Sequence, residues 1–225
     1  MISVKNLCKD FYFEDKSQSV LKNVSLEVGG NDFITIMGPS GGGKSTLLQI
    51  LGLLTKPSSG EFYYDDNEIN FKNEKLLNLY RRNNIGLIFQ NHNLISCLSP
   101  VENLIIAMNT KESYKEKSIK AKELLDKVGL SKKYNANILS LSGGEAQRVS
   151  IVRALVNSPK VILCDEPTGA LDSTNSKKIM DLLINIKNET KCILIIVTHD
   201  EEIGRLGERR IYLKDGEIYE VDRNI

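Results

Sequence analysis

The chain has 225 residues, of which 41% are hydrophobic and 26% charged, and its 30 Lys+Arg against 29 Asp+Glu leave a formal charge of +1. This is the composition of one folded domain, or of one domain carrying a subdomain, and it excludes a disordered chain. Balanced charge argues against nucleic acid as the main ligand, and the longest apolar runs, such as residues 192–197, fall far short of the roughly 20 residues of a membrane span.

In chain order, residues 2–28 followed by residues 60–64 read as half-exposed antiparallel strands. Phe33–Met37 is a short β-branched run before a glycine-rich loop, and residues 46–54 form a Leu/Ile-rich helix after it. From residue 91 to 157 no strand pattern stands out, and this stretch reads as a helical insertion. Within it residues 114–128 form an amphipathic helix with Ile119, Leu124, Leu125 and Val128 on one side and its charges on a solvated face. Residues 161–164 are again apolar before Asp-Glu-Pro. Residues 175–187 repeat Ile179, Leu182, Leu183 and Ile186 at helical spacing, and Ile193–Val197 is an apolar strand before Thr-His-Asp. Continuous apolar runs alternating with helices argue for a buried, largely parallel sheet. Asp215-Gly216, between residues 210–213 and 218–219, marks a C-terminal hairpin. Cys8, Cys97, Cys164 and Cys192 lie far apart, without a CxxC or Cys/His cluster, so reduced cytosolic thiols are expected rather than zinc ligands or disulfides. The N-terminal MISVKNLCKDF lacks the apolar stretch of a secretory signal, and any role at a membrane is expected to run through a partner.

Gly38-Pro39-Ser40-Gly41-Gly42-Gly43-Lys44-Ser45-Thr46 matches G-x-x-x-x-G-K-[ST] between a strand and a helix. Its glycines let backbone N–H groups converge on phosphate oxygens at a helix N-terminus, where anions are favoured. Lys44 is expected to reach the β- and γ-phosphates, the Ser45 hydroxyl to ligate Mg²⁺ and Thr46 to contact the α-phosphate. The apolar strand 161–164 delivers Asp165 to the same end of the sheet, to hold Mg²⁺ indirectly. Glu166, pointing the other way along the strand, is suited to orient or deprotonate an attacking water.

Leu141-Ser142-Gly143-Gly144-Glu145, followed by Gln147-Arg148-Val149 and Arg153-Ala154-Leu155, resembles the signature of the ABC ATPase family. The family's other landmarks occur in its order. Gln90, after Ile85-Gly86-Leu87-Ile88-Phe89, looks like the Q-loop glutamine, Gly169-Ala170-Leu171-Asp172 like the D-loop, and His199 like the switch histidine. The resemblance spans about residues 2–221. It implies an α/β P-loop NTPase core (residues 1–90 and 158–225) with a mainly parallel sheet, an N-terminal antiparallel β subdomain and an inserted α-helical subdomain (91–157). It also implies an ATPase whose copies dock head to tail. Ser142, Gly143 and Gly144 of one copy then meet the γ-phosphate held by Gly38, Ser40, Gly41, Gly42, Gly43, Lys44, Ser45 and Thr46 of the other, with Asp172 also at the nucleotide. Glu166, His199, Lys44 and Gln90 are the implied catalytic residues, and Ser45, Gln90 and Asp165 the implied holders of Mg²⁺. Phe11 is the expected adenine-stacking ring, with Tyr12 as the alternative and plain core packing of either left open. His92 reads as a solvated loop residue, and His199, ending a buried strand beside the acids, as a γ-phosphate sensor. Gly42 stands where the family more commonly has serine, which adds backbone freedom, and Glu145 where it has glutamine.

Arg81-Arg82, Asn93-Leu94, Val101-Glu102-Asn103-Leu104 and Asp165-Glu166-Pro167-Thr168-Gly169-Ala170 resemble a bacterial subgroup. That subgroup serves lipoprotein release, macrolide efflux, antimicrobial-peptide resistance and cell division. The resemblance implies an ATPase on the cytoplasmic face of the membrane, peripheral through an integral permease, driving export or mechanotransmission for a peptide, antibiotic or lipoprotein. The alternative is regulation of a cell-division or cell-wall complex without a transported substrate. The lack of long coiled coils between Gln90 and Ser142 argues against a DNA-repair or chromosome ATPase, and the single head against a translation factor.

Overall fold

The computed structural model describes residues 1–13 and 16–223. β1 (Ile2–Phe13) and β2 (Lys16–Val28) pair antiparallel, with Ile2 opposite Val28, and β4 (Ser59–Tyr64) pairs on the other edge of β1, with Ile2 opposite Tyr64. The short β5 (Asn67–Glu68) completes a sheet of order β2-β1-β4-β5. This is the antiparallel N-terminal unit that the sequence implies; Val24, Leu26 and Val28 are buried on alternate positions of β2, and on β1 a register shift between Val4 and Leu7 lets both, with Ile2, face the core.

The second sheet runs β10-β9-β3-β8-β7-β6. It is made of β3 (Phe33–Met37), β6 (Ile85–Phe89), β7 (Val161–Asp165), β8 (Ile193–Val197), β9 (Arg209–Lys214) and β10 (Glu217–Arg223). All neighbours from β9 to β6 are parallel; only β10 is antiparallel. β3 and β8 are buried at every position, as strands covered on both faces must be. The C-terminal hairpin turns on Asp215 and Gly216, both in the left-handed region (φ 50° and 84°). It is not a separate antiparallel piece, because β9 extends the parallel sheet beside β3.

Seven helices accompany the strands among the described residues. α1 (Lys44–Leu51) follows the glycine-rich loop. α2 (Glu74–Asn84), absent from the sequence reading, is amphipathic, with Leu77 buried and Tyr80 packed against the core; Asn73 caps it and Arg81 and Arg82 occupy its last turn. Between β6 and β7 lie α3 (Pro100–Ile105), α4 (Tyr114–Lys127) and α5 (Gly143–Leu155). They share an apolar cluster of their own around Leu104, Leu125, Leu130 and Val149. On α4 the inward residues are Ala121 and Leu125, with Leu124 and Val128 half-buried. Ile119 is 51% exposed, because it falls about 160° around the helix from that seam rather than on it. α6 (Ser173–Thr190) buries Ile179, Met180 and Leu183 against the sheet, and α7 (Glu201–Gly204) follows β8. α3, α4 and α5 each start with the same device, a serine N-cap and a glutamate three residues on bonding back to it: Ser99/Glu102, Ser113/Glu116 and Ser142/Glu145. The four cysteines are free; Cys164 and Cys192 are buried, and burial pushes both thiols up.

Candidate functional site

The carboxyl ends of β3, β6, β7 and β8 lie side by side, the edge where open α/β sheets bind their ligands. From β3 the chain enters the glycine-rich loop at Gly38, whose φ of 142° only glycine adopts freely and whose missing Cβ would lie 1.9 Å from the Leu213 carbonyl oxygen of β9. No side chain among the described residues caps α1, and its first turn carries no acid, so its N-terminus offers bare N–H groups to an anion. Lys44 is nearly buried, and its ammonium spans the loop, donating to the carbonyls of Gly38 (2.8 Å) and Pro39 (2.9 Å). A Cβ at Gly42 would stand 3.0 Å from Leu213 O and 3.1 Å from Pro39 O. Gly42 thus lies close beneath the C-terminal hairpin, whose Gly216 N–H also donates to Gly42 O (3.3 Å).

The Ser45 hydroxyl donates to Asp165 Oδ1 at 3.1 Å, joining α1 to the end of β7. Burial pushes the Asp165 carboxyl up, and the neighbouring Glu166 adds to this, while Ser45 and Lys44 pull the other way. A hydroxyl beside a half-buried carboxylate is a hard oxygen pair, the donor set that a small divalent cation accepts. Glu166 does not continue the strand. It turns into the left-handed region (φ 49°), its N–H donates to Val197 O (3.0 Å), and its carbonyl accepts from Gly169 N–H (3.1 Å). Its Oε1 meets His199 Nδ1 at 2.8 Å, so the two candidate reacting side chains are joined across β7 and β8.

The other sequence-predicted residues are placed as follows. Gln90, exposed at the end of β6, lies with its amide nitrogen 2.8 Å from where a Gly169 Cβ would be. Asp172 caps α6, accepting from the N–H of Asn175 (2.9 Å), and these bonds hold its carboxyl below the usual range. Ser142 caps α5, where Glu145 Oε2 accepts from Ser142 N–H (2.9 Å) and Glu145 Oε1 pairs with Lys133 (3.1 Å). Glutamate thus serves the cap directly. The neighbours of Gly143 and Gly144 are Leu171 and Asn175, on the D-loop side. Phe11 is half-buried with the Lys9 ammonium 4.7 Å above its ring, whereas Tyr12 is 76% exposed. His92 is not a solvated loop residue: it is half-buried, and its Nδ1 meets Oε1 of the fully buried Gln147. That link, and the grip of the fully buried Asn103 side chain on the carbonyls of Ile95, Leu98 and Ser99, are absent from the sequence reading, because nothing in a linear motif says which distant group a buried amide meets.

The family model described as "ABC transporter" matches residues 21–169, from within β2 through the phosphate loop to Gly169. The ABC transporter ATP-binding protein MJ0796 of Methanocaldococcus jannaschii is 44% identical over 97% of this chain and 95% of its own length. The lipoprotein-releasing system ATP-binding protein LolD of Aquifex aeolicus is 42% identical, covering 90% of this chain and 91% of its own. The macrolide export ATP-binding/permease protein MacB of Bdellovibrio bacteriovorus is 42% identical over 99% of this chain but only 34% of its own length. A solved dimer of MJ0796 in a post-hydrolysis state with ADP and Pi superposes with a TM-score of 0.92 at 41% identity, over 99% of this chain and 98% of that one.

Proposed function

The chain belongs to the ABC transporter ATP-binding family, and on that premise we propose that it hydrolyses ATP between two head-to-tail copies of itself and so drives a separate membrane permease. The observation that carries this reading is the meeting of two pairs at one sheet edge: Ser45 with Asp165 (3.1 Å) and Glu166 with His199 (2.8 Å), beside the uncapped start of α1.

The nucleotide's phosphates rest on the N–H groups of the loop Gly38–Gly43 and of Lys44, Ser45 and Thr46, and the Lys44 ammonium exchanges the carbonyls of Gly38 and Pro39 for phosphate oxygens. Ser45 and Asp165 would hold Mg²⁺, with Gln90 reaching in from β6; the ion supplies charge neutralisation on the β- and γ-oxygens. Binding a cation there also offsets the cost of ionising a buried Asp165. Glu166 orients the attacking water and accepts its proton as the water oxygen bonds to the γ-phosphorus and the bond from that phosphorus to the β,γ-bridging oxygen breaks, releasing ADP; His199, its Nδ1 bound to Glu166, donates to the γ-phosphate from Nε2 when that nitrogen also carries a hydrogen. Phe11 takes the adenine ring.

The signature completes the site from a second copy. Ser142 and the first N–H groups of α5 form a capped helix start beside Leu171 and Asn175, and they present donors to a partner's γ-phosphate. ATP then holds two copies together, and hydrolysis lets them part. Likeness to LolD and MacB, named for lipoprotein release and macrolide export, supports lipoprotein or antibiotic export as the output; peptide export and mechanotransmission belong to the same reading, with the chain on the cytoplasmic face of the membrane. The test is phosphate release by Glu166→Gln. ATP binding is expected to persist while turnover falls about 10²–10⁴-fold, and undiminished turnover contradicts the assignment. Tagged Glu166→Gln protein with ATP is expected to bring down an integral membrane protein from its own cells.

A further inference from the structure

Gln147 lies five residues beyond Ser142 on α5 and is completely buried. Its Nε2 donates to the carbonyl of Pro167 at 2.7 Å, and its Oε1 meets His92 Nδ1. The orientation of this chain of bonds is forced. A carbonyl only accepts, so the Gln147 nitrogen must face Pro167; its oxygen then faces His92, and His92 must carry its hydrogen on Nδ1. The far end is anchored as well, since Arg153, also on α5, donates to the carbonyls of His92 (2.9 Å) and Asn93, both in left-handed conformations. Gln90 leaves no room for a side chain at Gly169, its amide nitrogen 2.8 Å from where a Cβ would stand, and the Gly169 N–H is bound to the Glu166 carbonyl (3.1 Å). The turn from Glu166 to Gly169 is therefore held at Pro167 by Gln147 and closed on itself by the bond from Gly169 N–H to the Glu166 carbonyl.

We propose that Gln147 and His92 are positioning residues that set the aim of the Glu166 carboxylate according to where α5 sits. This rests on the proposed roles of Glu166 as base and of the α5 start as reader of the partner's ATP. A helix moves as a unit, so a displacement at Ser142 reaches Gln147 and, through one hydrogen bond, the carbonyl of the residue after Glu166. Proline's ring fixes its own φ, which leaves fewer torsions to absorb that displacement before it reaches the Glu166 backbone. The Glu166 N–H is held by Val197, so the motion is taken up on the carboxyl side of the residue. His92 keeps Gln147 from rotating its amide away, and Arg153 ties His92 to the same helix. Each catalytic base is in this way set by the nucleotide in the opposite site.

The experiment is steady-state ATPase on the full chain with His92→Phe, which keeps a ring and removes the donor, and His92→Asn, whose amide nitrogen stands about where Nδ1 stood. His92→Phe is expected to lower kcat about tenfold with KM for ATP changed by no more than about twofold, because the phosphate loop is untouched. His92→Asn is expected to restore kcat to within about threefold of wild type, and it carries the test by itself should the phenylalanine variant not fold. A wild-type kcat in His92→Phe, a loss borne by KM, or an asparagine variant as slow as the phenylalanine one overturns the relay while the ATPase reading stands. Glu166→Gln turning over at the wild-type rate overturns the base assignment and the relay with it.

Discussion

Replacing Gly38 by alanine puts a methyl carbon 1.9 Å from the Leu213 carbonyl oxygen, where ordinary contact needs at least 3.4 Å, so backbone on one side must move by more than an ångström. Neither side is loose: Leu213 is buried on β9, and β9 is paired to β3, the strand that enters the loop. The substitution also holds alanine at φ 142°. Strained backbone costs about 1–3 kcal/mol and overpacking about 1–3 kcal/mol more, together about 2–6 kcal/mol of a total stability of order 5–15 kcal/mol. Gly41 supplies the control. Its φ is 78°, but nothing lies within 4 Å of its missing Cβ, so alanine there meets only the backbone term, about 1–2 kcal/mol. At about 2–4 °C per kcal/mol for a chain of this length, Gly41→Ala should lower the melting midpoint by roughly 2–8 °C and Gly38→Ala by clearly more. Calorimetry on the two variants, paired with ATP titration, reads both stability and loop function. Equal midpoints for the two would refute the claim that β9 limits the phosphate loop.

Asp165→Asn keeps an acceptor for Ser45 and removes a carboxyl that burial pushes up. An acid whose folded pKa exceeds its unfolded value of about 3.9 destabilises the fold increasingly as pH rises through that window, so the variant should melt higher than wild type at pH 7, gain nothing near pH 3, and lose ATP turnover. A lower midpoint at pH 7 in pH-resolved melts would contradict this. Glu102, Glu116 and Glu145 show the opposite sign: bonds from Ser99, Ser113 and Ser142 hold each carboxyl below the usual range. Their stabilisation is full above the unfolded value of about 4.3 and is lost as pH falls through the lower folded values. A triple Glu→Gln variant at these positions, which keeps the caps, should show a flatter acid limb in its melting curve; an unchanged slope would refute the account.

The strands around the site are legible in the sequence because they are buried on both faces and written as continuous apolar runs, and the phosphate loop because its glycines answer to fixed steric demands. The antiparallel unit follows from alternation, and the C-terminal hairpin from Asp215-Gly216. What escapes is set by distant partners. α2 is short, and only Leu77 among its apolar residues is fully buried, so its inward face is defined by the core it meets. Ile119 looks like core until the helix phase is fixed by Ala121 and Leu125, and β9 looks like half of an isolated hairpin until β3 is beside it. The serine–glutamate starts of three helices are visible as S-x-x-E once looked for, and they account for Glu145 without appeal to the nucleotide. The pairing of Glu166 with His199 and of Gln147 with His92 crosses tens of residues, and only the fold brings them together.

In the proposed head-to-tail pair, each chain carries half of each of two ATP sites. Light scattering on Glu166→Gln protein, with and without ATP, tests it most directly. The mass is expected to double on adding ATP, and Ser142→Arg is expected to abolish the doubling while ATP still binds. A Glu166→Gln protein that binds ATP and stays monomeric, or a Ser142→Arg form that still pairs, would contradict it.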